Sequence, residues 1–230
     1  MILVRNTSKG KRVVRRLGVL MLFAAALAVV GWLILDRVEG TLKWGGFALM
    51  FLGLVTLKEG IDPWFNHLRG DQGEEGVIKK LELLGDEYTV IANWQPPNEK
   101  RGDVDVIVLG PHGVAALECK RYSTDFGCDG DFWFLKMENG YKKKIKSLSS
   151  QTRGHAQCIK RHLKRQGVSA EVHAALVFSS LRRASISNPK AHIIDMDDAV
   201  DYIYSLPRTG EVGPEWFQLA AAEGVAQKSC

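Results

Sequence analysis

Cysteine is sparse and badly spaced for chemistry: Cys119, Cys128, Cys158 and Cys230 form no Cys-x-x-Cys pair and no finger-like pattern. That excludes a disulfide-dense secreted scaffold and argues against a structural zinc site, leaving reduced thiols as the expectation. Internal repeats and low-complexity tracts are also missing, which removes solenoids and disordered tails from consideration. Acidic residues are absent from two stretches. Residues 1–16 hold six basic side chains (Arg5, Lys9, Lys11, Arg12, Arg15, Arg16) and no acid, and removing those six from the net charge of +5 leaves −1 for the rest. The basic balance therefore belongs to the N-terminal arm, and any nucleic-acid face must be a local patch. From Asn139 to Ala170 nine Lys or Arg again occur without an acid.

Charge of either sign is missing from Leu17 to Leu35, 19 residues rich in Leu, Val and Ala. At 1.5 Å per residue such a helix is about 28 Å long, enough for a hydrocarbon core of about 30 Å. A cleavable signal peptide is the competing reading. The run is long for that, and a second uncharged stretch of 14 residues, Trp44–Leu57, follows between Lys43 and Lys58, whose side chains can snorkel outward. The expectation is a transmembrane hairpin over 17–58, with spans at 17–35 and about 43–58, in contact with the lipid bilayer. The basic arm 1–16 places the N-terminus in the cytoplasm. Two crossings return the chain there, giving an integral membrane protein with a cytoplasmic soluble domain; a single crossing puts that domain outside.

Residues 59–72 read as a linker, 73–206 as the soluble domain and 207–230 as a tail. Val77, Ile78, Leu81 and Leu84 recur at helical spacing. Strands are expected at 88–94, 103–109, 114–120, 131–137, 141–145, 172–178 and 192–195, with helices at 151–166 and 197–206, the last opened by Asp197 or Asp198. This order gives an α/β fold with a mixed central sheet flanked by helices.

Chemistry concentrates between Gly102 and Lys120. Strand periodicity puts Asp103, Asp105 and Ile107 on one face, and Val114, Ala116, Glu118 and Lys120 on one face of the next strand. If the turn pairs Gly110 with Gly113, Asp105 stands opposite Glu118 and Asp103 opposite Lys120. Two facing carboxylates repel unless a positive group lies between them. A divalent cation would resolve the repulsion, polarise a phosphodiester and activate a water, with Lys120 facing the developing charge. The plainer alternative is that Lys120 bridges exposed acids on a hydrophilic sheet face.

Asp105 in Gly-Asp-Val-Asp-Val-Ile-Val-Leu-Gly, followed across a hairpin by Glu118-Cys119-Lys120, resembles the core of PD-(D/E)xK nucleases. Gly73-Glu74, Gly113-Val114, Trp133 and Gln151 extend the likeness to the nuclease-related domain, NERD, over roughly 70–180. Ser149-Ser150 stand where that family often carries Asn-Pro. The resemblance implies a restriction-endonuclease-like core. It implies Asp105 and Glu118 as ligands of Mg²⁺ or Mn²⁺, Lys120 as the catalytic cation, Glu74 as the helix carboxylate completing the site, and Gln151 as a positioning residue. The expected activity is metal-dependent hydrolysis of DNA or RNA; the alternative is a non-catalytic membrane-tethered nucleic-acid-binding module or scaffold. Lys142, Lys143, Lys144, Lys146 and Arg153 form the candidate phosphate-contacting patch, read equally as a solvated or lipid-facing surface. His155, one turn beyond Gln151, reads as ordinary surface.

Overall fold

A computed structural model describes residues 1–5, 8–37, 39–40, 42–96, 103–210 and 212–217, with backbone only for 8–16, 42 and 60–71. The chain forms two compact units, one of residues 7–69 and one joining 1–6 to 70–230.

The first unit is built from helix α1 (Ser8–Arg37) and most of helix α2 (Leu42–Leu81). The helices pack through small residues: a Cβ at Gly31 would lie 2.5 Å from the Met50 backbone nitrogen, and one at Gly53 would lie 2.6 Å from the Ala24 carbonyl oxygen. Such close backbone approach tolerates no side chain. Two expectations are corrected here. Among the described residues one segment, Leu17–Arg37, is long and apolar enough to cross a membrane, with mean hydropathy 2.6. The Trp44–Leu57 run is not a second span of that kind but the opening of a 40-residue helix. That helix also runs through 59–72, the stretch read as a linker, and turn residues at 63–73 do not break it. Packing at both ends overrides their weak propensity: glycines against α1 at one end, Val77, Ile78 and Leu81 in the core at the other.

The second unit contains a six-stranded mixed sheet. Its order is β1 (Ile2–Arg5), β2 (Thr89–Trp94), β3 (Val104–Gly110), β4 (Gly113–Lys120), β8 (Val172–Phe178) and β10 (His192–Asp195). Strands β2, β3 and β4 are antiparallel neighbours, whereas β1 joins β2, and β8 joins β4 and β10, in parallel. Strand β1 lies inside the region read as a basic arm, too short and too far from its partner in sequence to leave a local signal. Val77, Ile78 and Leu81 of α2, with Ala199 and Ile203 of α4 (Ala199–Ser205), cover one face. Helix α3 (Leu148–Arg165) covers the other with Cys158, Ile159 and Leu163. Phe217, in the stretch read as a tail, is fully buried against that second face. The expected α/β architecture with helices on a mixed sheet is present.

A smaller sheet carries β7 (Lys142–Ile145), β6 (Phe132–Lys136), β5 (Phe126–Asp129) and β9 (Ala184–Ser187), in that order. Its inner face packs Phe126, Cys128 and Trp133 against Leu148 of α3 and Phe178 of β8. Asp198 holds the N-cap position of α4, as expected, without a side-chain cap bond, and Asp195 caps the short 3-10 turn Met196–Asp198 that leads into it, accepting from the Asp197 N–H at 3.3 Å. Cys119, Cys128 and Cys158 are buried free thiols, whereas Cys230 lies outside the described residues.

Candidate active site

Strands β3 and β4 meet through Pro111-His112, with Gly110 opposite Gly113 and the pairing continuing to Val106 opposite Leu117. Gly113 sits at φ +79, a left-handed conformation that a side chain would strain. This is the register expected from the sequence, and one step beyond it stand Asp105 and Glu118. The other edge of β3 is interrupted at the same level. Ala92 pairs with Val106 and Trp94 with Val104, but Asn93, between them, is left-handed at φ 57. Asp105 turns its carboxylate along the sheet, where Oδ2 accepts the Cys119 N–H at 2.8 Å.

Glu118 is 1% exposed, so its charge needs compensation from the protein. Three side chains converge on it. Lys120 Nζ and Gln151 Nε2 each lie 2.5 Å from Oε1. His155 Nδ1 lies 2.8 Å from Oε2, an ion-pair distance when the imidazole is protonated, although the ring is not aligned for a good hydrogen bond. Gln151 and His155 are four residues apart on α3, so one turn of helix presents both to the same carboxylate. Reading His155 as ordinary surface is therefore corrected: it is 4% exposed and belongs to this cluster. The i, i+4 spacing from Gln151 was the available signal, but only the packing of α3 over β4 turns that face inward.

Electrostatics separate the two acids. Burial and then the Glu118 charge push the Asp105 carboxyl well above its usual range, Glu74 adds to the push, and Lys120 and the Cys119 N–H oppose it. Burial also pushes Glu118 upward, but His155 and Lys120 outweigh it and hold this carboxyl below its usual range. Burial alone would lower the Lys120 ammonium; Glu118 and Asp105 raise it well above the ordinary lysine value instead. At neutral pH the cluster thus keeps a firmly charged Lys120–Glu118 pair beside a carboxyl that resists ionisation.

A divalent cation has a suitable donor set here, since carboxylate oxygens are the ligands Mg²⁺ prefers and Asp105 is destabilised by neighbouring negative charge. No three His, Cys, Asp or Glu among the described residues are grouped to hold an ion. Two carboxylates suffice for a Mg²⁺ that takes its other ligands from water and a substrate phosphate. Glu118 Oε1 already meets two donors and Oε2 faces the His155 ring, so a cation there has to displace at least one of these neighbours.

The candidate patch divides. Lys142, Lys143 and Lys144 are exposed on the edge strand β7, and Lys146 is exposed just beyond it. Arg153 is tied down instead, with Nη2 3.0 Å from Asp131 Oδ2 and Nη1 2.8 Å from the Lys190 carbonyl oxygen. The family model described as the nuclease-related domain, NERD, matches residues 69–179, slightly under half of the chain, and supports placing that region in the NERD family. No curated protein and no solved structure matches the chain.

Proposed function

We propose that this protein is a membrane-anchored, metal-dependent phosphodiesterase acting on DNA or RNA, with Asp105, Glu118 and Lys120 as its reacting cluster. The observation that carries the reading is a lysine kept charged in the interior by the two carboxylates that a hard cation would need. Asp105 and Glu118 would hold Mg²⁺ or Mn²⁺, with Glu74 strengthening the negative potential. Such an ion supplies Lewis-acid polarisation of the phosphate and a lowered pKa for a water. Lys120 supplies a fixed positive charge toward the phosphoryl oxygens, and its value is greatest where charge accumulates in the transition state. Gln151 and His155 fix the Glu118 rotamer through contacts to opposite oxygens. The Cys119 N–H does the same for Asp105.

Anchoring follows from α1. Strand β1 precedes that helix and pairs with β2, so the chain on both sides of 7–69 belongs to one sheet. A strand cannot pair across a bilayer, so β1 and β2 lie on the same side of any membrane that α1 enters. The basic residues before Leu17 make that side cytoplasmic.

The test uses the full chain in neutral-lipid nanodiscs, with Mg²⁺ and Mn²⁺ titrated calorimetrically and with labelled DNA and RNA as substrates. Wild type should bind the metal at up to millimolar concentration and cleave. Glu118→Gln should weaken metal binding. Lys120→Ala should keep or tighten it, because the ammonium competes for Glu118, yet abolish cleavage. A wild type that binds neither ion, with or without nucleic acid, leaves only a binding module or scaffold.

A further inference from the structure

The outer face of the small sheet alternates aromatic and cationic side chains across two strands. Phe132 and Phe134 of β6 point away from the core, because Trp133 and Leu135 between them point into it. On β7 the register sets Lys144 opposite Phe134 and Lys142 opposite Lys136, so Lys142 and Lys144 share that outer face while Lys143 lies opposite Leu135 on the other. Both outer lysines are drawn over rings: Lys142 Nζ lies 4.6 Å from the Phe134 centroid, and Lys144 Nζ lies 5.8 Å from that of Phe132. Phe132 is 44% exposed, and Tyr141 in the adjoining turn is 65% exposed. Asp129, across from Phe132, is the acid that the paired strands put on this face, against Lys136, Lys142 and Lys144, and Glu138 is exposed in the same turn as Tyr141.

We infer that this face binds single-stranded nucleic acid, Phe132 stacking a base while Lys142 and Lys144 take the flanking phosphates; the inference rests on the proposed nucleic-acid chemistry and names the form of its substrate. The positive balance selects a polyanion. The partly exposed Phe132 ring beside exposed lysines then favours an unpaired strand, since a duplex buries the base faces that an aromatic platform needs. A lipid surface is less well matched, because Phe134 is only 5% exposed and the rings lie under the charges instead of projecting as an apolar wedge. Strand β6 is also tied to the helix that carries Gln151. Trp133 of β6 donates from Nε1 to Ser149 Oγ at 3.0 Å in the first turn of α3, two residues before Gln151.

The experiment measures fluorescence anisotropy of a labelled pyrimidine 20-mer, single-stranded or in a duplex, with the full chain in neutral-lipid nanodiscs and EDTA present. Wild type should prefer the single strand by about tenfold, and Phe132→Leu should lose about tenfold on the single strand while leaving the duplex unchanged. Phe132→Trp should restore the preference. Combined Lys142→Ala and Lys144→Ala should lower the slope of log affinity against log salt by about 1.4 on the single strand, with Lys143→Ala changing it less. Phe132 is exposed, so its variants should fold, and circular dichroism melts check that they do. Equal affinity for both forms, or an indifferent Phe132→Leu, overturns the inference. So does a wild type that ignores oligonucleotides but binds phosphatidylserine vesicles through Lys142 and Lys144. Binding is read without divalent metal, so a protein that binds the strand but never cleaves retires the hydrolase reading alone; one that cleaves without preferring single strands retires this inference alone.

Discussion

Asp105 and Glu118 are neighbours with opposite responses to losing their charge. Replacing Glu118 by Gln strands the Lys120 ammonium, whose side chain is 24% exposed, so the metal-free protein should lose about 2 kcal/mol in chemical denaturation. Replacing Asp105 by Asn keeps an oxygen for the Cys119 N–H and removes the repelled charge, so it should stabilise the same protein at neutral pH. The pH dependence follows from the signs. A raised Asp105 carboxyl contributes stability that is full below its ordinary value and is lost as pH rises through its raised one. The depressed Glu118 contributes stability that is present above its ordinary range and is lost as pH falls through its lowered value. Thermal melts across pH should therefore show a decline as pH rises above the ordinary aspartate range that Asp105→Asn removes and Glu118→Gln only reduces, because the Glu118 charge supplies part of the push on Asp105. An identical decline in Asp105→Asn would assign it to another group.

Among the elements, the first turn of α3 carries the most consequence for its size. Ser147 caps it by accepting the Ser150 N–H at 3.0 Å. Ser149, fully buried, takes the Trp133 indole N–H. Ser147→Ala should cost about 1 kcal/mol of stability. Ser149→Ala leaves a buried indole N–H without its partner and should cost about 1–3 kcal/mol, most of it recovered when Trp133→Phe is added. Equilibrium unfolding of the single and double variants checks the coupling; simple additivity would mean the bond does not register the turn. Because Gln151 follows two residues later, Ser149→Ala should also loosen the contact to Glu118.

At the scale of the whole molecule, β1 is the decisive feature. It places Ile2, 48% exposed, and Leu83, 74% exposed, in one folded unit on either side of the apolar segment. With Cys230 replaced by Ser, Ile2→Cys and Leu83→Cys should both react with a membrane-impermeant maleimide from the same face of sealed vesicles. A reporter fused after Cys230 should likewise behave as cytoplasmic. Labelling of the two cysteines from opposite faces would contradict the pairing of β1 with β2.

What the sequence determined by itself was everything governed by local periodicity. Alternation along 104–120 and the Gly110–Gly113 turn set the register that brings Asp105 to Glu118, and Val172–Phe178 and His192–Asp195 were legible as strands. The charge-free run Leu17–Leu35 was legible for the same reason. Tertiary structure alone decided the rest. Strand β1 forms because β2 offers an edge more than eighty residues away, and β5 and β9 form because they complete a sheet whose members are distant in sequence. The continuity of α2 through its glycines depends on packing that no window of sequence contains. His155 carries no local mark that separates it from a surface histidine; it becomes part of the cluster only because α3 lies across β4 and leaves a buried carboxylate in need of positive neighbours.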